Sequence, residues 1–418
     1  MNNGNFLRAF VNSVRIPSSL LLVLLAGCAL TISGQSKSRA KRVPEAVKTT
    51  EQSNAGFDHA VKVGDEARVA GNLDDAIEGY KKAVGIRPKW ADGWWYLGAI
   101  YYQKDLYPQA QDAFSKLVAL EPGRGPAWAM LGLCQFQTRE YEQSIASLGR
   151  AFALGLAGNQ ELNSVVIYHS ALLYTRFGQF ELAFDALRQY PRGFDNQKII
   201  EAFGLIMLRM TLLPNEIPSD RREEVLLAGR AGAGMAARRT DDARRAFDEL
   251  LTRYPNDPNA HYSFGVFMIP QDIEMALKEF QRTTELDPNH QPALVQMAFE
   301  YLKRREFERA LPLAEKSVQL APGMYPARNV FGRVLLELGQ PARAIEQLEE
   351  GVRLAPGSPE MHFALAKAYA RVGRKEEAVR ENEIFKKLQE KHDQQLGAGQ
   401  PNSATSTTTA KPNPEEEK

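Results

Sequence analysis

The side chains that could do chemistry in this sequence are few and scattered. Its 418 residues contain 6 histidines and 2 cysteines, Cys28 and Cys134. No two histidines stand at metal-ligand spacing, and two distant cysteines cannot complete a four-cysteine zinc site. The phosphate-binding loop, the His-Glu-x-x-His helix and the Gly-x-Ser-x-Gly elbow are all absent from the sequence. The sequence therefore predicts a protein that is not an enzyme and uses no metal or cofactor.

Cys28 is the one thiol whose surroundings favour chemistry. Arg8 and Arg15 precede an apolar run at 20–25, and the small residues Ala26 and Gly27 lead from that run to Cys28. A basic start, a short apolar run and small residues are typical of a secretory signal peptide. Residues 1–28 are therefore predicted to be an export signal.

The tetrapeptide Leu25-Ala26-Gly27-Cys28 resembles the lipobox of bacterial lipoproteins. The resemblance implies that Cys28 is lipidated and becomes the mature N-terminus, held to a membrane because each buried CH₂ contributes ~0.8 kcal/mol. Two alternatives stay open at this point. Ordinary cleaved secretion would leave a soluble chain, whereas residues 16–34 are just long enough to remain as an uncleaved anchor.

The composition excludes two further classes of protein. With 44% hydrophobic and 25% charged residues, the chain is too apolar to be disordered throughout. Lys and Arg number 52 against 51 Asp and Glu, so no net charge attracts nucleic acid, and no nucleic-acid partner is expected. Two polar stretches lack apolar periodicity, which predicts a flexible tether at 29–56 and a disordered tail at 393–418.

In the middle of the chain, prolines recur in two series. Within each series, successive prolines are 33 or 34 residues apart. A small residue follows each proline by ten positions, as Gly98 and Gly265 do, and most repeats have Ala or Ser after twenty-two. The prolines are Pro88, Pro122, Pro255, Pro288, Pro322 and Pro356.

The second repeat, with Trp94, Leu97-Gly98, Tyr101, Ala110, Phe114 and Pro122, resembles the tetratricopeptide repeat. The resemblance implies an all-α fold, a right-handed superhelical solenoid in which each repeat is a pair of antiparallel helices stacked on its neighbours. About nine repeats are predicted, and residues 198–223 break the period as an irregular helical insertion. The repeats are 57–90, 91–124, 125–158, 164–197, 224–257, 258–290, 291–324, 325–358 and 359–392.

A concave groove is the expected binding site, because in this family positions 2, 5, 6, 9, 12 and 13 of each repeat point into it. Those positions are aromatic in repeats two to four and more basic in repeats seven to nine. Aromatic rings in a concavity favour peptide binding, although the same rings could pack against neighbouring helices instead. The candidate groove residues are Trp95, Tyr96, Tyr102, Phe136, Tyr168, His169, Asn329 and Arg333.

Three other residues that could titrate are predicted to be structural. His261 and His362 stand where the family pattern has tryptophan, so both are expected to pack in the core. Cys134 falls in the middle of a helix of the third repeat and is expected to be a small buried side chain rather than a reactive thiol.

These features together predict a non-enzymatic scaffold or assembly factor of the bacterial cell envelope. Its groove would bind segments of another protein, while the N-terminal lipid or anchor would hold it to a membrane, facing the periplasm or the exterior. The alternative is an adaptor similar to the co-chaperones of this family, soluble in the periplasm, secreted or cytosolic. The identity of the partner and the oligomeric state do not follow from the sequence.

Overall fold

The computed structural model describes residues 45–191 and 193–398. Within these residues every regular element is helical, with 19 α-helices, a short 3-10 helix at Pro214–Glu216 and no β-strand. The all-α prediction is confirmed. The chain divides into two compact lobes, the N-terminal lobe Met1–Ala246 and the C-terminal lobe Phe247–Lys418.

Ten helices lie wholly in the N-terminal lobe, and helix α11 (Thr240–Arg253) contains the boundary between the lobes. The ten are α1 (Glu45–Ala70), α2 (Leu73–Ile86), α3 (Ala91–Gln103), α4 (Tyr107–Leu120), α5 (Gly125–Gln137), α6 (Tyr141–Leu154), α7 (Gln160–Arg176), α8 (Phe180–Leu187), α9 (Gln197–Met207) and α10 (Arg222–Ala236).

Eight helices lie wholly in the described part of the C-terminal lobe. They are α12 (Pro258–Met268), α13 (Ile273–Leu286), α14 (Gln291–Lys303), α15 (Phe307–Leu320), α16 (Tyr325–Glu337), α17 (Pro341–Leu354), α18 (Pro359–Arg371) and α19 (Lys375–Ala398).

Consecutive helices pack as pairs in both lobes. The pairs are α1 with α2 through α7 with α8 in the N-terminal lobe, and α12 with α13 through α18 with α19 in the C-terminal lobe. Pro88 lies in the turn after α2, and the other five repeat prolines lie in equivalent turns, because proline cannot continue a helix interior. Each pair is therefore the two-helix repeat that the proline spacing predicts.

Glycines let the two helices of a repeat approach each other. A Cβ atom added at Gly98 would lie 2.8 Å from the ring of Phe114, and one at Gly265 would lie 2.6 Å from the ring of Phe280. Both distances are shorter than any ordinary contact between carbon atoms. The small residue ten positions after each proline thus has the packing role that the sequence pattern indicates.

A hydrogen bond joins consecutive repeats at five places, and we call it the proline link. In each, the side chain six residues after the repeat proline donates an N–H to that proline's carbonyl oxygen, over 2.8 to 3.0 Å. Because the proline closes one repeat and the donor begins the next, each bond fixes the stacking of two repeats. The donors are Trp94, Trp128, His261, Arg328 and His362.

The segment that breaks the period forms α9, a 3-10 turn and the start of α10, and α9 crosses α10 closely. A Cβ added at Gly204 would lie 2.0 Å from the carbonyl oxygen of Val225, and one at Gly229 would lie 2.0 Å from that of Ile200. The two backbones therefore touch at this crossing. Sequence periodicity identified an extra helix here but gave no sign of its tight contact with α10.

Several predicted segments lie partly or wholly outside the described residues. The export signal 1–28, including Cys28, is one of them, as is the chain after Ala398. Helices α1 and α19 extend further than predicted, so that residues 45–56 of the expected tether and 393–398 of the expected tail are helical. Neither stretch contains proline, so each can continue a helix that packing elsewhere has nucleated.

Across the described part of the chain, no helix combines the length and the apolar character that crossing a bilayer requires.

Candidate partner-binding groove

A cavity of about 550 Å³ opens in the C-terminal lobe. It is lined mainly by the first helices of the last three repeats, α14, α16 and α18, and by the final helix α19. Most of its lining residues stand at positions that the family pattern directs into the groove, among them Arg333, Ala364 and Lys367. We call this cavity the C-terminal groove and define it by Lys303, Arg305, Arg333, Phe363, Lys367 and Phe385.

The apolar part of the C-terminal groove is a pair of phenylalanine rings. Phe363 on α18 is 52% exposed, and its ring centroid lies 5.3 Å from that of Phe385 on α19. A large aromatic side chain left this exposed in a concave surface is typical of an interaction site rather than of a packed core. The pair offers a preformed surface on which an apolar side chain can pack.

Two of the four basic side chains in the C-terminal groove are neutralised by acids of the protein. The ammonium group of Lys303 lies 2.8 Å from the buried carboxylate of Glu300, and that of Lys367 lies 3.0 Å from Glu337. The hydrogen bond from Lys367, with further attraction from Arg371, holds the pKa of the Glu337 carboxyl below its usual value. These pairs shape the walls of the groove and leave little of their charge for a ligand.

The other two basic groups, Arg305 and Arg333, have no carboxylate partner among the residues that the structure describes. The guanidinium of Arg333 instead lies 5.7 Å from the ring centroid of Phe299. Arg305 stands just beyond α14 with a left-handed backbone, φ 62°. A guanidinium group presents a planar fork of donors that matches a carboxylate, so two of them beside exposed aromatic rings suit an acidic, partly apolar ligand.

Only one of the two residues predicted for the basic half lines the C-terminal groove. Arg333 does so, and its role in binding stays a prediction. Asn329 was predicted to face the groove, and that prediction is wrong, because its side chain is 9% exposed and its amide Nδ2 donates to the sulfur of Met361 over 3.3 Å. Asn329 packs between α16 and α18 and cannot reach a ligand.

In the N-terminal lobe, three of the predicted groove residues are buried. Trp95 is 4%, Tyr102 6% and His169 7% exposed. Trp95 packs edge-on against Phe114 with ring centroids 5.7 Å apart, and Tyr102 packs in the same way on Tyr107 at 5.3 Å. The expectation that these three side chains line an open surface is wrong, because the spacing between neighbouring helices is filled by the rings themselves.

Tyr96, Phe136 and Tyr168 are half-buried and remain candidates for partner contact. The ring of Tyr96 stacks on Tyr80 with centroids 5.0 Å apart, and the ring of Phe136 meets His169 edge-on at 4.8 Å. Each ring therefore has partners within the protein. Their role in binding stays a prediction.

Burial moves the pKa values of two titratable groups in the N-terminal lobe away from neutral pH. Burial lowers the pKa of His169 to about 4, although its hydrogen bond to the carbonyl of Val165 acts in the opposite direction. Burial raises the pKa of the Cys134 thiol, which keeps it protonated and unreactive at neutral pH. Among the described residues, no three His, Cys, Asp or Glu side chains form a group that could hold a metal ion.

Sequence reasoning missed the two rings of the C-terminal groove. Phe363 stands 34 residues after Asn329, at the same repeat position, so the period alone could have identified it. No such signal exists for Phe385, which lies in the second helix of repeat nine, the last repeat among the residues that the structure describes. The position of Arg305 depends on the turn that ends α14, which the repeat pattern does not specify.

The helix pairs, their proline turns and the groove on their first helices define the class of this protein. A family profile described as "tetratricopeptide repeat" matches residues 101–157, 231–267 and 329–383, and a second, described as "TPR repeat", matches residues 64–105. These matches identify repeats of this chain as tetratricopeptide repeats.

Solved structures of MamA are similar to part of this chain. MamA of Desulfovibrio magneticus RS-1, from its residue 41 to the end, is 23% identical, with a TM-score of 0.37, and the match covers 41% of this chain and 97% of that one. MamA of MSR-1 is 19% identical, with a TM-score of 0.35, and the match covers 41% and 98%. No curated protein sequence is significantly similar to the chain.

Proposed function

We propose that this protein is a non-enzymatic interaction scaffold or assembly factor of the bacterial cell envelope, and that it binds an extended segment of another protein in the C-terminal groove. The observation that carries this proposal is the exposed ring of Phe363 beside the unpaired guanidinium groups of Arg305 and Arg333. Aromatic and arginine side chains are enriched at the core of protein interfaces, where a few residues dominate the binding free energy. The stacked repeats already hold the groove in shape, so no free energy is lost in ordering the groove when the partner binds.

Removing either the ring or the charge from the C-terminal groove should weaken partner capture. We expect Phe363→Ala and Arg333→Gln each to reduce capture about tenfold or more, the effect typical of a central interface residue. The measurement is crosslinking in cells, followed by purification of the protein and quantitative mass spectrometry of what accompanies it.

Phe152→Ala is the matched control, because Phe152 is 56% exposed, lies on α6 in the N-terminal lobe and is not among the residues that line the C-terminal groove. It should leave capture unchanged. Equal capture by all three variants and the natural protein would place the binding surface elsewhere, with Tyr96, Phe136 and Tyr168 as the next candidates.

The second part of the proposal concerns location. The lipobox-like tetrapeptide that ends at Cys28 supports export and attachment to a membrane through that cysteine, with the repeats facing the periplasm or the exterior. An adaptor that is soluble in the periplasm, secreted or cytosolic is the alternative, and the chemistry at Cys28 separates the two.

Cys28→Ser should abolish lipid attachment. We expect the natural protein to incorporate a labelled fatty acid and to sediment with membranes, and the variant to do neither, because serine oxygen cannot form the thioether. Cys134→Ala, which changes the buried cysteine, should keep both properties. Membrane sedimentation of Cys28→Ser without label would instead identify an uncleaved anchor.

A further inference from the structure

The C-terminal groove and residues 412–417 have complementary chemistry. The groove presents two unpaired guanidinium groups and an exposed pair of rings. Residues 412–417 read Pro-Asn-Pro-Glu-Glu-Glu, which supplies two proline rings followed at once by three carboxylates. A proline ring packs well on an aromatic face, and a carboxylate is the natural partner of a guanidinium group.

We propose that residues 412–417 of this chain dock in the C-terminal groove of the same molecule. In this arrangement the carboxylates of 415–417 bind Arg305 and Arg333, and Pro414 packs on Phe363. The inference rests on the proposed function of the groove and adds its regulation: a partner segment must displace the chain's own end before it can bind.

The connection between groove and segment is long enough. Helix α19 itself lines the groove through Phe385 and Gln389, and it ends at Ala398, about 14 Å further along at 1.5 Å per residue. The 17 residues from Ala398 to Glu415 can span up to about 56 Å when extended. The segment can therefore return to the groove from the end of α19 without any change in the described helices.

Weak contacts are sufficient for this docking because the segment is tethered. An exposed ion pair contributes little by itself. A segment joined to its site by a short flexible connection is present there at an effective concentration of about a millimolar. The segment occupies the groove in the absence of a partner when its contacts together give a dissociation constant below about a millimolar, and a ligand that binds with micromolar affinity or better would displace it.

Zero-length crosslinking tests the docking directly. A carbodiimide joins a carboxylate to an amine only when the two are in contact, and Lys303 and Lys367 stand beside the two arginines in the groove. Applied to the purified full chain, it should join Glu415, Glu416 or Glu417 to Lys303 or Lys367, read by mass spectrometry of the monomeric fraction. The double variant Arg305→Gln, Arg333→Gln keeps both lysines and should reduce the yield at least fivefold.

Arg353→Gln, at an exposed arginine on α17 outside the groove, is the matched control and should leave the yield unchanged. Three outcomes would overturn the proposal: no crosslink to either lysine, crosslinks only in a dimeric fraction, or an equal yield from the double variant. The first or third outcome, combined with loss of partner capture in Phe363→Ala, would reject the internal ligand and leave the proposed function standing. Capture that is unaffected by Phe363→Ala would reject the proposed function whatever the crosslinks show.

Discussion

Gly229→Ala should lower the free energy of unfolding by about 3 kcal/mol, at the upper end of the usual effect of overpacking. The added methyl group would lie 2.0 Å from the carbonyl oxygen of Ile200, a backbone atom that no change of rotamer can move away. The crossing of α9 and α10 would have to open to admit it. Gly204→Ala should have a similar effect from the other side of the same crossing, since its methyl group meets the carbonyl oxygen of Val225.

Urea denaturation followed by circular dichroism measures this effect, and Gly149→Ala is the control. Gly149 is an exposed glycine inside α6 with no atom within 4 Å of the added Cβ. Its replacement should stabilise the protein by about 0.5–1 kcal/mol, because alanine loses less conformational entropy in a helix. The same small gain at Gly229 would show that α9 and α10 do not touch.

His261→Gln should destabilise the protein in a way that depends on pH. The ring of His261 is buried, with Nδ1 2.6 Å from a carboxylate oxygen of Glu279 and Nε2 2.9 Å from the carbonyl oxygen of Pro255. A carbonyl oxygen can only accept, so Nε2 carries a hydrogen, and the carboxylate favours a second proton on Nδ1. The folded state therefore prefers the imidazolium form, which makes both bonds.

The direction of the pH effect follows from the pKa of His261. Burial lowers that pKa and the charge of Arg282 does so slightly, but the hydrogen bonds to Glu279 and Pro255 outweigh both and leave it above its ordinary value. The unfolded ring titrates near 6.5. The stabilisation by the imidazolium is thus complete below about pH 6.5 and is lost as the pH rises through the higher folded-state value.

We expect natural protein and His261→Gln to differ by about 2 kcal/mol near pH 6, as for hydrogen bonds that involve a charged group. The difference should shrink steadily towards pH 9, measured by urea denaturation at each pH. Arg328→Gln is the matched control, because Arg328 makes the same proline link with a side chain that stays charged throughout this range. A difference for His261→Gln that stays constant from pH 6 to 9 would contradict the assignment.

The fold could be predicted from the sequence because its determinants are local and recur. Proline spacing marks the ends of the helix pairs, and Gly98 and Gly265 mark the contact within a pair. The two helices therefore pack in the same way from one repeat to the next. The α9 and α10 crossing could not be predicted in this way. Gly204 and Gly229 belong to no period, and nothing in their neighbours distinguishes a glycine that touches another backbone from one, such as Gly149, that faces solvent.

The candidate site was predictable only in part. The position of a residue in its repeat determines which way its side chain points, but it does not determine whether that side chain is exposed. Trp95 and Arg333 both stand at positions that the family directs into the groove, yet the first is buried and the second is accessible. The difference lies in the neighbouring repeats. Around Trp95 large rings fill the space between helices, whereas beside Arg333 the smaller Ala364 leaves the cavity open.

The proline links give the two lobes unequal sensitivity to their medium. In the N-terminal lobe the donors of the proline links are the indole groups of Trp94 and Trp128, which stay uncharged over the whole pH range in which proteins are folded. The described C-terminal lobe uses only ionisable or charged donors, and two of its three are histidines. The link that His261 makes is therefore favoured when its ring is protonated, whereas the two indole links do not depend on pH. The lobe that contains the proposed binding surface is therefore also the lobe in which a link between repeats responds to acidity.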